Sequence, residues 1–161
     1  MKKQIGIFLT VIITTLLVIG CTNNSDDTSQ ANVSITAVQV ANFVQNGEWR
    51  ITYFYDTDQD ETSNFSGYSF SFNENGALVA VNGNTTVTGT WSITDNSQSS
   101  SDDDGGSSDN DNDLNIFFAS PDDFEDLSDD WDIISISEVK IELIDVSGGN
   151  GGTDYLTFEK L

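Results

Sequence analysis

From Glu48 onward the apolar residues of this chain fall at every second position, in short runs separated by turn signals. That period commits the chain to half-buried β-strands. Trp49, Ile51 and Tyr53 alternate with Arg50 and Thr52, and Tyr68, Phe70 and Phe72 alternate with Ser69 and Ser71, so each set predicts one apolar face. Glu74-Asn75-Gly76 is a turn signal leading into a strand over 77–82, and Asn82-Gly83-Asn84 leads into another over 85–93. Leu114, Ile116 and Phe118 resume the alternation. A single helical turn is expected within 121–130 around Phe124 and Leu127, then a strand over 131–137. Val139, Ile141 and Leu143 face one way, and a Gly-rich turn over 147–152 leads to a closing strand with Leu156 and Phe158 inside. The sum is an all-β domain of eight strands joined by hairpin-like turns, which favours an up-and-down barrel over a sandwich. Closure also removes exposed edges.

Two segments break the pattern. Residues 94–113 are almost entirely serine, aspartate, glycine and asparagine, too polar to bury, and read as a disordered acidic loop free to vary in length. Ahead of the strands, Ser34 is placed to cap a short helix with Ala37, Val40, Ala41 and Val44 at helical spacing and Gly47 as its stop. An extended reading rests on Val38 and Val40 alternating with Gln39; the helix is favoured.

The chain's single cysteine, Cys21, ends an apolar run over residues 5–19 that follows Lys2 and Lys3. A basic start, an apolar stretch and a small residue read as an export signal over 1–20. A bilayer span needs about 20 apolar residues, and this run is shorter and interrupted by Gly6, Thr10, Thr14 and Thr15. Val18-Ile19-Gly20-Cys21 resembles the lipobox of bacterial lipoproteins. The resemblance implies cleavage before Cys21, lipidation of its thiol and anchoring through acyl chains such as palmitate. Residues 21–32 then form the lipidated cysteine and a polar tether, and 33–161 the domain. Asp26-Asp27 shortly after the cysteine resembles surface-export signals of Bacteroidetes lipoproteins, which implies the outer membrane or cell surface.

Gly47-Glu48-Trp49, after a short helix and at the start of the first strand, resembles the Gly-x-Trp signature of the lipocalins. With eight strands it implies a lipocalin-like barrel, in which a late basic residue packs on the tryptophan; Lys140 and Lys160 are the candidates. The segment is echoed by Gly89-Thr90-Trp91, either as an old duplication or because a glycine before an inward tryptophan is how a strand bends into a barrel wall. A barrel of eight strands is just wide enough to be filled by side chains or to hold one small ligand. Tyr53, Tyr68 and Phe70 are the candidate contacts for a small apolar ligand, although so many inward rings argue for a small cavity or none.

Charge and residue types exclude more than they identify. Against 27 acidic residues stand five basic ones, a net charge of −22, so nucleic acid is a poor partner. There is no histidine, and the one thiol is assigned to lipid, so Ser-His-Asp and Cys-His catalysis and histidine zinc sites are unavailable. No enzyme is expected. Asp56-x-Asp58-x-Asp60 spaces oxygen ligands as calcium loops do, but Glu61 stands where the turning glycine belongs and Gly67 where the bidentate glutamate belongs. Asp109-x-Asp111-x-Asp113 departs in the same way, with Leu114 at the glycine position, and a solvated loop is the competing reading for both. Two functional classes remain for what is expected to be a monomer. One is a binder of a small apolar ligand; the other is an acidic surface module for interaction or spacing, with calcium as an associated ion.

Overall fold

A computed structural model describes residues 35–95, 112–146 and 152–161. Helix α1 (Ala37–Val44) begins at Thr36. The Thr36 hydroxyl accepts from the Gln39 amide at 3.3 Å while the Gln39 side chain accepts from the Thr36 amide at 2.9 Å, a reciprocal capping box. Ser34, the expected cap, lies outside the described residues. Val40 and Val44, one turn apart, are fully buried against the barrel.

The strands follow as β1 (Trp49–Asp56), β2 (Gln59–Asp60), β3 (Ser69–Phe72), β4 (Ala77–Asn82), β5 (Thr85–Asp95), β6 (Asn112–Phe117), β7 (Asp129–Ile136), β8 (Lys140–Val146) and β9 (Thr153–Lys160). Neighbours pair antiparallel in the order β1-β3-β4-β5-β6-β7-β8-β9, and β9 pairs back onto β1, so eight strands close a barrel. The two-residue β2 is added beside the end of β1. A 3-10 turn (Thr62–Phe65) and a one-turn helix α2 (Asp122–Glu125) lie over one end. The up-and-down barrel with its short N-terminal helix is thus the fold the alternation predicts.

Register departs from simple alternation in two places. A bulge between Ile51 and Tyr53 inserts Thr52, so Phe54 takes the inward position opposite Leu156 and Tyr53 turns outward, 41% exposed. The expectation that Trp49, Ile51 and Tyr53 share one face is corrected at Tyr53. A second bulge between Ile133 and Ser135 leaves Ile134 outside and returns Ile136 to the inner side. Val139, expected to face inward with Ile141, sits in the β7–β8 turn and is exposed.

The loop expected over 94–113 is shorter at both ends, because Thr94 and Asp95 continue β5 and pair with Asp113 and Asn112 of β6. Asn112 is buried, its amide donating to the Ile35 carbonyl at 2.6 Å. Residues 96–111 and the glycine-rich turn at 147–151 lie outside the described residues.

The interior is aromatic. Phe54, Phe65, Phe70, Phe72, Phe118, Phe124 and Phe158 are buried with Trp49 and Trp131. Their rings meet mostly edge to face, with Phe70–Phe158 and Phe72–Phe158 centroids each 5.6 Å apart. That geometry sets the positive ring edge on the negative face.

Candidate functional site

The ends of β1, β7, β8 and β9 carry aspartates two residues from an inward apolar residue: Asp56 beyond Phe54, Asp129 before Trp131, Asp145 beyond Leu143 and Asp154 before Leu156. Alternation therefore aims all four toward the same mouth of the barrel. There they form two groups, each with carboxylate oxygens within 4.8 Å of one another: Asp129 with Asp145 and Asp154, and Asp56 with Glu61 and Asp126. Asp145 and Asp154 are directly opposite in the β8–β9 ladder. The Thr57 amide donates to Asp154 Oδ1 at 2.7 Å and ties one group to the other. Such triads have the oxygen donors that a hard divalent cation takes.

Crowding shows in the acidities. Partial burial pushes the Asp129 carboxyl up to about 6, and the neighbouring charges of Asp145 and Asp130 add to the rise. Asp126 is raised by burial and then by Asp56 and Asp123, and Glu61 by burial and then by Asp126 and Asp56. Asp132, on the outer wall, is also raised by burial. Two groups move the other way: Thr62 holds Asp60 down through its hydroxyl and amide, and Lys140 and Ser135 hold Glu142 down.

The sign of the pH effect follows. A carboxyl whose folded pKa is raised favours the native state at low pH, and that contribution is lost as pH rises through the folded value. The lowered Asp60 and Glu142 contribute above their ordinary range and lose it as pH falls through their folded values. The melting temperature is therefore expected to peak at about pH 5 and to fall by several degrees toward about pH 8. Asp129→Asn, whose side-chain oxygen can still accept the Asp130 amide, should remove much of that decline. At about pH 8 it should stabilise the fold by on the order of 1 kcal/mol after allowance for solvent screening. Calorimetric melts across pH read this; equal slopes for the two proteins would contradict it.

The calcium spacing at Asp56, Asp58 and Asp60 does not become a loop. Asp56 pairs with Gln59 and Tyr55 with Asp60, so the segment is a tight hairpin turning at Thr57 and Asp58, with Thr57 at φ 48°. Asp56 joins Glu61 and Asp126, Asp58 is exposed at the turn, and Asp60 accepts the Thr62 amide at 3.1 Å. Asp113 lies in β6, while Asp109, Asp111 and Cys21 are outside the described residues.

The three ligand candidates do not converge either. Phe70 is fully buried core, Tyr68 is half-buried with its ring 5.2 Å from Phe124, and Tyr53 is on the outer wall. A separate open groove of about 320 Å³ runs between α1 and β5, lined by Ala37, Val38, Ala41, Trp91 and Ile93 among others.

Of the two basic candidates, Lys160 is the one that packs on the first tryptophan, its Nζ 6.0 Å from the Trp49 ring centre; Lys140 pairs with Glu142. The residues that sequence reasoning missed are Glu61, Asp126, Asp129, Asp145 and Asp154. For Asp129, Asp145 and Asp154 the local signal is an acid two residues from an inward apolar residue at a strand end, whereas Glu61 and Asp126 flank short helical turns and have no such signal; the convergence of all five depends on barrel closure.

No family model and no curated protein matches the chain. Among solved structures it is similar to a DUF4847 family protein from Bacteroides vulgatus, at 14% identity and a TM-score of 0.43, over 76% of this chain and 97% of that one.

Proposed function

We propose that this chain is a lipid-anchored lipoprotein of the outer membrane or cell surface whose barrel is an acidic interaction module with no enzymatic role. The observation that carries this reading is the filling of the barrel. Phe54, Phe65, Phe70, Phe124 and Phe158 occupy the space in which a carrier would hold its cargo, and each is at most 2% exposed. What the domain offers to other molecules is then its surface, which is anionic. Anchoring at Cys21 is supported by the lipobox-like Val18-Ile19-Gly20-Cys21. Within this reading, calcium acts as counter-ion to the mouth carboxylates.

A second reading, binding of a small apolar ligand, is favoured by one observation, the apolar groove beside α1 and Trp91. Native mass spectrometry of the full chain, extracted from membranes in an uncharged detergent, separates the two. The expected spectrum shows acyl chains on Cys21, absent from Cys21→Ser, and no other passenger. A co-purifying apolar molecule would overturn the module in favour of a carrier, and an unacylated Cys21 would overturn the anchor.

A further inference from the structure

Charge is unevenly placed on the outside of the barrel. Residues 62–94 carry one acid, Glu74, and no base, although the chain holds 27 acids in all. They build β3, β4 and nearly all of β5. Phe70, Phe72, Leu78, Ala80 and Trp91 take the inner positions, so Ser71, Val79 and Thr88, successive ladder partners, face outward. Ala77, Thr90 and Phe117 form a second outward row that extends the wall onto β6. Glu74 lies in the β3–β4 turn at one end. The wall is uncharged, yet it is not featureless. Phe117 is 58% exposed and Val81 37%. Beside Phe117 is an open recess of about 300 Å³ lined by Thr90, Trp91, Ser92, Asn115 and Ile116, none of them charged. A projecting ring next to a recess on one patch suits a two-fold interface, in which each copy supplies both halves of every contact.

The occupant follows from charge. A net charge of −22 holds two copies of the chain apart wherever acids face acids. The wall from β3 to β6 is where two copies can approach without that opposition. A basic partner finds no carboxylate on its outward rows to pair with. Size sets the strength of the contact. Three strand spacings of about 4.8 Å and roughly a dozen outward residues fall short of the 20–30 residues a side of a standard interface, so pairing is weak in dilute solution. Anchoring of both copies in one bilayer raises their effective concentration, and a weak contact then suffices.

We propose that two copies of this chain pair through the uncharged wall of β3 to β6, Phe117 of each filling the recess beside Phe117 of the other. The unit is then a pair rather than the expected monomer, with its acidic walls turned outward. The proposal deepens the interaction-module reading by naming a partner, and rests on it.

The test is sedimentation equilibrium of the full chain in an uncharged, density-matched detergent. At about 200 µM protein and about 0.5 M salt most of the chain is expected at twice its mass, with a Kd on the order of 100 µM. Lowering the salt to about 0.05 M should weaken pairing severalfold, because the acids of the two copies then repel over a longer range. Val81→Glu with Phe117→Glu, which puts charge on the wall at two exposed positions, should weaken it at least about tenfold. Thr88→Glu, also exposed on the wall, should act in the same direction. Ile134→Glu with Val139→Glu adds the same charge and removes exposed apolar side chains elsewhere, and should pair like the unaltered chain. A monomer mass for the unaltered chain at the higher salt would overturn the proposal. So would equal losses from the wall pair and the off-wall pair, pairing that strengthens as salt is lowered, or full pairing by wall variants whose thermal melts stay intact. Each of these failures leaves the module reading standing, because that reading falls to a co-purifying apolar passenger.

Discussion

Replacing Phe124 with alanine is expected to lower the unfolding free energy by about 3–5 kcal/mol, the range for deleting a buried phenylalanine ring. The magnitude rests on where the ring sits. Phe124 belongs to a helix of a single turn, too short to persist by itself, and it drops into the mouth of the barrel. There its ring centre is 5.3 Å from Phe65, 5.2 Å from Tyr68 and 5.1 Å from Phe118, and 6.1 Å from Phe70. Removing it leaves a void bordered by four other rings, Phe70 on β3, Tyr68 and Phe118 immediately beside β3 and β6, and Phe65 on the 3-10 turn, so the site collapses poorly.

The lid has other fastenings. The Phe118 amide donates to the Ser128 hydroxyl at 2.8 Å, and the Trp131 indole donates to the Leu127 carbonyl at 3.1 Å. These should keep the connection in place, so the loss should appear as a lower urea midpoint with an unchanged slope. Phe124→Leu, which refills most of the volume, should recover the larger part. A cost below about 1 kcal/mol for the alanine variant would mean that the ring is not buried as the fold places it.

The plug also explains why the fold was more legible than the site. Strand positions could be read because half-burial imposes a period of two on local sequence, as in Phe70-Ser71-Phe72 and Ile141-Glu142-Leu143. Helix α1 was legible for the same local reason, Val40 and Val44 being one turn apart. Bulges have no such local signature. Thr52 looks like an ordinary outward residue, and only the pairing of Phe54 with Leu156 shows that the register has slipped and sent Tyr53 outside.

The placement of the carboxylates was illegible for a related reason. Asp56, Asp58 and Asp60 suggest a loop closing on an ion, whereas hairpin pairing separates them. The groups that do meet at the mouth come from positions as distant as Asp56 and Asp126, or Asp129 and Asp154. Their proximity is a product of closure, a long-range event that no short spacing encodes.

Trp49→Ala is expected to cost about 3–5 kcal/mol as well, and to act on two elements together. Trp49 is the position at which β1 meets both of its barrel neighbours, Lys160 on β9 and Phe70 on β3, and the β1–β3 register consists of that one pair. The seam between β1 and β3 is therefore thin where the tryptophan fills it. Its indole N–H donates to the Val44 carbonyl at 2.8 Å, satisfying a backbone acceptor in the last turn of α1 that the helix itself cannot satisfy.

The glycine before it has a separate task. Gly47 lies at φ +112°, a conformation other residues rarely adopt, and a Cβ there would stand 2.8 Å from Lys160 Cε. At the echoed Gly89-Thr90-Trp91 the reason differs: Gly89 leaves no space for a Cβ beneath the Phe117 carbonyl and the Phe118 ring, and Trp91 donates to the Asn73 carbonyl at 3.0 Å. The two tripeptides thus share letters more than geometry.

Trp49→Phe separates ring volume from the hydrogen bond. It keeps most of the apolar contact and leaves the buried Val44 carbonyl unpaired, an expected cost of about 1–3 kcal/mol. Hydrogen exchange should show α1 amides opening faster in Trp49→Phe with β9 nearly unchanged, and both elements opening faster in Trp49→Ala. If the two variants cost the same, the helix tether rather than the filled seam holds the barrel closed.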